Sequence, residues 1–218
     1  MDGVRLAVFD CDGTLVDGQS AICDSMEYAF AQADQPAPAR NDIRRAVGLS
    51  LPQAISNLRP DLERPMRDRI VEAYKDSFRS ARTEGRLEEP LYDGMRELLA
   101  GLRADGWTLA VATGKSDRGL ISCLETHDIR DWFVSLQTAD RHPSKPHPAM
   151  LEAALFDAGA TPADAIMIGD TSFDMEMARG AQVRALGVAW GYHTADELTA
   201  YGAQDVAETM DELKAMLA

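Results

Sequence analysis

The chain is 218 residues long, 45% hydrophobic and 27% charged, a balance that fits a globular core with a smaller appended module and excludes a disordered chain. Its formal net charge of −14 disfavours nucleic acid as a partner, since affinity for a polyanion rests on clustered Lys and Arg. A small anionic substrate stays compatible, because salt screens exposed charges beyond roughly 8–10 Å while a bound cation dominates nearby.

A short apolar run at 5–10 predicts a first buried strand. From about 17 to 88 only helical patterns follow, with Met66, Ile70, Tyr74 and Phe78 on one stripe. A direct crossover needs far fewer residues. The excess predicts a helical cap, 17–88, inserted into a core made of 1–16 and 89–218. Met95, Leu98, Leu99 and Leu102 form the next helical stripe, and Met210, Leu213 and Leu217 the last. Between them, runs at 108–113, 133–138, 165–170 and 185–190 are nearly continuous in apolar residues, as in a sheet covered on both faces. The expected fold is α/β: a doubly wound, Rossmann-like parallel sheet with an inserted α-helical cap domain. The apolar runs are too short to span a bilayer, and Asp2 and Arg5 around the first run argue against a signal peptide. Cys11, Cys23 and Cys123 form neither a disulfide framework nor a metal-ligand pattern. The expected location is the cytoplasm, away from membranes.

Four segments carry candidate chemistry, each at the C-terminal end of an expected strand. In Val8-Phe9-Asp10-Cys11-Asp12-Gly13-Thr14, two carboxylates one residue apart project to the same side of an extended chain. Such a pair needs a compensating cation, and Mg²⁺ suits it because it takes carboxylate and phosphate oxygens. Thr113-Gly114-Lys115-Ser116 offers a hydroxyl and free backbone N–H groups before a helix, with Ser116 as its N-cap; Lys115 has no catalytic role in this reading. Ser144-Lys145-Pro146 supplies a compact ammonium for a phosphate or a carboxylate. Gly169-Asp170-Thr171-Ser172-Phe173-Asp174 ends an apolar strand in one acid and sets a second in the first turn of a helix. One crevice at the sheet's edge could collect all four. In the cap, Arg44 and Arg45, beside Gly48-Leu49-Ser50, occupy a turn expected to face the substrate, whereas Lys75 reads as a solvated side chain.

Together, Asp10-x-Asp12-Gly13-Thr14, Thr113-Gly114, Lys145-Pro146 and Gly169-Asp170-Thr171-x-x-Asp174 resemble the haloacid dehalogenase-like hydrolase superfamily with a helical cap. Val188-Ala189-Trp190-Gly191-Tyr192 is similar to its phosphoglycolate-phosphatase-like branch. The resemblance implies that Asp10 attacks phosphorus and that Asp12 serves as acid and then base. It implies that Thr113 and Gly114 hold phosphate oxygens and that Lys145 stabilises the nucleophile. It also implies Mg²⁺ held by Asp10, Asp170 and the backbone carbonyl of Asp12, with Asp174 completing the shell. An acid at position 12 favours phosphate-ester chemistry over dehalogenation. The expected activity is hydrolysis of a small phosphorylated metabolite, phosphoglycolate first. A β-phosphoglucomutase-like phosphotransferase or an inorganic pyrophosphatase on the same scaffold are the alternatives. Monomer and homodimer both stay open.

Overall fold

A computed structural model describes residues 4–218; Asp2, on which part of the expectation about the chain's start rests, lies outside them. The sheet has six parallel strands in the order β3-β2-β1-β4-β5-β6. They are β1 (Leu6–Phe9), β2 (Thr108–Thr113), β3 (Phe133–Thr138), β4 (Ala165–Gly169), β5 (Arg184–Val188) and β6 (Asp205–Ala207). The five expected strands are present within one or two residues. The sixth is an addition: three residues at the sheet's edge, with Asp205 exposed, are too short to show a pattern.

The strand period of two sends alternate side chains to opposite faces. Ala7, Phe9, Leu109, Val111, Ile166 and Ile168 pack on one face, against the helices α5 (Met95–Ala104), α6 (Asp117–Thr126) and α10 (Met210–Met216). Leu6, Val8, Ala110, Ala112 and Met167 pack on the other, against α7 (Ala149–Ala158), α8 (Ser172–Gly180) and α9 (Ala195–Tyr201). The α5 stripe of Met95, Leu98, Leu99 and Leu102 is buried throughout, as its spacing predicts. The result is the doubly wound α/β sheet expected from the sequence. β1 lies at its centre, and the chain's direction of progress reverses beside it, where such sheets bind ligands.

Between β1 and β2 run α1 (Gln19–Gln32), α2 (Arg40–Arg45), α3 (Leu51–Leu58) and α4 (Arg64–Thr83). They share an apolar core of their own, with Met26, Phe30, Ile43, Ile55 and Ile70 at its centre and Met66, Tyr74 and Phe78 packed on it. The outgoing and returning chains cross side by side. Asp17 N–H donates to Pro90 O (2.8 Å) and Tyr92 N–H to Leu15 O (3.1 Å), with an antiparallel bridge between Val16 and Leu91. Among the described residues no helix is long and apolar enough to cross a membrane.

Candidate active site

Strand β1 delivers the first carboxylate. Asp10 N–H donates to Ile168 O at 2.9 Å, the last tie to β4 before the chain leaves the sheet. Asp10 Oδ1 accepts from Cys11 N–H (2.6 Å) and stands 2.9 Å from Lys145 Nζ, while Oδ2 is buried without a partner. Gly13 then turns the chain at φ +85°, where a Cβ would stand 2.1 Å from Asp170 Oδ2. Only glycine gives both that backbone and that approach.

Strand β4 delivers the second. Asp170 is fully buried; Oδ1 accepts from Thr14 O–H (2.8 Å) and Oδ2 from Tyr192 N–H (2.9 Å). Asp174 occupies the third position of α8, where its Oδ2 accepts from Thr171 N–H (3.1 Å) and Thr171 O–H (2.7 Å). Its Oδ1 accepts from Lys145 Nζ at 2.6 Å. The same acid therefore takes the first-turn place expected of it and, in addition, orients the lysine.

Asp10, Asp170 and Asp174 each offer an oxygen within 4.8 Å of the others'. Three buried carboxylates share one lysine, which pairs with Asp10 and Asp174, so that full ionisation would leave two negative charges uncompensated. Burial, partly opposed by Lys145, pushes Asp10 up to about 7. Burial and the charges of Asp10 and Asp174 push Asp170 well above the carboxylate range. Burial pulls Lys145 down, but its two acid neighbours outweigh that and hold it above its ordinary value. A pocket in which three buried carboxylates converge, with negative charge in excess of the one lysine, fits a hard divalent cation such as Mg²⁺.

Asp12 does not place its carboxylate in that cluster. Its Oδ1 stands 2.9 Å from Lys115 Nζ, and Lys115 in turn stands 2.5 Å from Glu89 Oε1. This leaves only the backbone of Asp12 for the metal role expected of it. Burial and Glu89 raise the Asp12 pKa against the opposing pull of Lys115. Lys115, given no role from the sequence, is thus a buried member of the site. Glu89 was also missed. It lies far away in sequence, just before Pro90, and no local pattern links it to residue 12. Cys11 turns away into the core, as expected of a small hydrophobe.

Thr113 and Gly114 end β2 and line a cleft whose floor also carries Asp10 and Asp12. Thr113 is buried, and its Oγ1 accepts from Lys115 N–H (3.3 Å). Ser116 caps α6, accepting from Gly119 N–H at 3.1 Å, as its type and position predict. The loop after α2 covers this edge: a Cβ on Gly114 would stand 2.5 Å from Leu49 O and 2.6 Å from Gly48 O. Ser50 N–H donates to Ser144 Oγ at 2.8 Å.

Arg44 and Arg45, expected on a substrate-facing turn, are not among the residues that line the cleft. Arg45 instead pairs with Glu197 Oε1 of α9 at 2.5 Å, while residues 46–50, in the loop that follows α2, line the cleft. Arg44 is half-buried, and its Nε lacks a partner. The basic residues that do line the cleft are Lys75, Arg79, Arg82, Lys115 and Arg118. His193, also missed, accepts from Ser172 N–H at Nδ1 (3.1 Å), and its Nε2 lies 3.3 Å from Arg45 O. Burial pulls its pKa down, in keeping with a neutral ring that joins the two layers.

The model for the haloacid dehalogenase-like hydrolase family matches residues 7–188. A Dickeya dadantii protein named "Probable phosphatase IndB" is 36% identical over 213 residues, which span 95% of this chain and 91% of that protein. A phosphoglycolate phosphatase from Vibrio vulnificus is 27% identical over 218 residues, 96% of this chain and 94% of its own. Among solved structures, a haloacid dehalogenase-like family hydrolase from Streptococcus pneumoniae superposes with a TM-score of 0.86 at 26% identity, covering 100% of both chains. With the family model spanning most of the chain and the site lying at the ends of its central strands, this protein belongs to the haloacid dehalogenase-like hydrolase family.

Proposed function

We propose that the protein is a Mg²⁺-dependent phosphatase that hydrolyses a phosphate monoester through an aspartyl phosphate on Asp10. The observation that carries this is the state of Asp10: one oxygen is held by Cys11 N–H and Lys145, and the other is buried and unpartnered beside the cleft. A carboxylate fixed in that way is a nucleophile with one direction of attack. Asp10 Oδ2 bonds to phosphorus as the ester P–O bond breaks, and Asp12 gives its proton to the departing oxygen. Asp12 then takes a proton from the water that cleaves the aspartyl phosphate, which frees inorganic phosphate and restores Asp10. The raised pKa of Asp12 supports a proton being held there for the first step.

Thr113 and Gly114 bind the non-bridging oxygens, and Lys145 favours the ionised form of Asp10 against burial and orients it. Asp10, Asp170 and Asp174, with the Asp12 carbonyl, would hold Mg²⁺. When bound, the cation neutralises charge on the phosphoryl group, so that a carboxylate can approach an anion. We assign residues 17–88 as the cap that excludes water from this chemistry. Three buried free thiols support the cytoplasmic placement.

The Vibrio relative's name makes phosphoglycolate the reference substrate. The test is phosphate release from a panel of monoesters with Mg²⁺ and with EDTA, using wild type beside Asp10→Asn. Metal-dependent release that disappears in the variant is expected. Release that survives in Asp10→Asn would remove Asp10 as nucleophile, and no release from folded wild type would end the phosphatase reading.

A further inference from the structure

The cleft above Asp10 and Asp12 has a volume of about 470 Å³, within the roughly 300–1,000 Å³ of sites that enclose a drug-sized ligand. Asp10, Thr113 and Gly114 would confine the phosphoryl end to the floor, so most of the space lies under the helices. The wall there is apolar and aromatic. Ile22, Met26, Val47 and Leu49 contribute, with Tyr74 and Phe78 stacked at 5.0 Å between ring centroids. A two-carbon leaving group would leave most of that wall uncovered.

Cations rim the same cleft, and they are not equivalent. Lys75, Arg79 and Arg82 recur on one face of α4, and Arg118 faces the space from the first turn of α6. Lys75 is held by Glu72 at 2.7 Å and Arg79 by Asp76 at 2.8 Å. Arg82 has a buried Nε with no partner, and Arg118 forms no ion pair among the described residues. Asp140, the acid on that side, is engaged by Asp117 N–H at 2.9 Å. A guanidinium nitrogen taken out of water calls for an acceptor, and a charged one satisfies it best.

We infer that the leaving group of the substrate has a flat apolar or aromatic body, seated against Tyr74 and Phe78, and carries a second anionic group received by Arg82 and Arg118. This rests on the phosphatase reading above and adds the chemistry of the alcohol. The body supplies area against the stacked rings, and the second anion gives the two free guanidiniums, one from each layer, a common partner.

The experiment compares kcat/KM with Mg²⁺ for ethyl phosphate, phosphoglycolate, benzyl phosphate and p-carboxybenzyl phosphate, all esters of alkyl alcohols, so that leaving ability is nearly constant across the set. Wild type is run beside Phe78→Ala and the double variant Arg82→Gln/Arg118→Gln. In wild type, benzyl phosphate should exceed ethyl phosphate, and p-carboxybenzyl phosphate should exceed benzyl phosphate by about tenfold or more, the scale of a charge-assisted hydrogen bond. The second ratio should fall toward one in the double variant and recover in Arg82→Lys/Arg118→Lys, while the first should fall in Phe78→Ala. Phosphoglycolate as the best substrate, or equal values for the two benzyl esters in wild type, would overturn the inference while leaving the phosphatase reading intact. Hydrolysis of none of the four would count against that reading itself. Thermal melts establish that each variant is folded, and if one is not, the wild-type ratios alone decide.

Discussion

Glu89 Oε1 stands 2.5 Å from Lys115 Nζ, and Lys115 reaches Asp12 Oδ1 at 2.9 Å, so the returning end of the helical excursion is tied electrostatically to the proposed general acid. All three side chains are nearly buried. Removing the cation would leave two acids facing each other out of water. Lys115→Met should therefore cost about 3–5 kcal/mol. Urea unfolding reads this directly, and a midpoint equal to that of wild type would show that the triad contributes nothing to the fold.

Metal should stabilise the protein in a pH-dependent way. In the metal-free protein Asp10 is pushed up to about 7, mainly by burial, and Asp170 is raised well above its ordinary value. An acid whose folded pKa is raised favours folding while protonated. Its contribution is present below the unfolded pKa near 4 and lost as pH rises through the folded value. In EDTA the melting temperature should accordingly fall between pH 5 and pH 8. Mg²⁺ replaces the proton as the compensating charge, so its effect should be larger at pH 8. A shift of about 5–10 °C is expected at a hundredfold excess over Kd. Equal Mg²⁺ shifts at both pH values would contradict the assignment, as would an undiminished shift in Asp170→Asn.

Gly114 marks where the two layers touch. A methyl group there would enter the space of Leu49 O and Gly48 O, both backbone atoms that cannot rotate away. Gly114→Ala should displace the loop at a cost of about 1–3 kcal/mol. It should also speed hydrogen exchange at residues 46–50 and lower kcat/KM. Wild-type exchange in that loop would mean that the contact is looser than its geometry indicates.

Arg45 and Glu197 are both partly exposed, at 45% and 31% of their side-chain surface. Such pairs contribute only about 0–1 kcal/mol. Arg45→Ala should leave kcat/KM within about twofold and stability within that range. A much larger rise in KM would return Arg45 to the substrate-facing role that its sequence position suggests.

The sheet was legible because buried parallel strands are written as continuous apolar runs, and Asp10 and Asp170 because each ends one of those runs. Asp10 and Asp170 converge from the ends of neighbouring strands, and Lys145 and Asp174 join them from the segments that follow β3 and β4. What stayed hidden depends on the pairing of distant segments. Glu89 becomes a partner of Lys115 only once the helical excursion has closed, and Lys115 looks like any surface lysine until β2 buries it beside Asp12. The orientation of Arg44 and Arg45 stayed hidden for a related reason. A six-residue helix has no apolar stripe long enough to fix its rotation, so sequence alone does not say which residues of the turn face inward. Strand β6 was missed because its three residues gain their ladder from β5 rather than from their own pattern.

The side-by-side crossing at residues 15–17 and 90–92 also bears on how such a protein can be taken apart. Both ends of the helical excursion emerge at one point, so a short link from residue 16 to residue 91 would close the gap without stretching. Every pairing of the sheet lies outside the segment removed. The helices are thus attached like a cassette, open to replacement by another of different shape, while the strands that carry Asp10 and Asp170 keep their register.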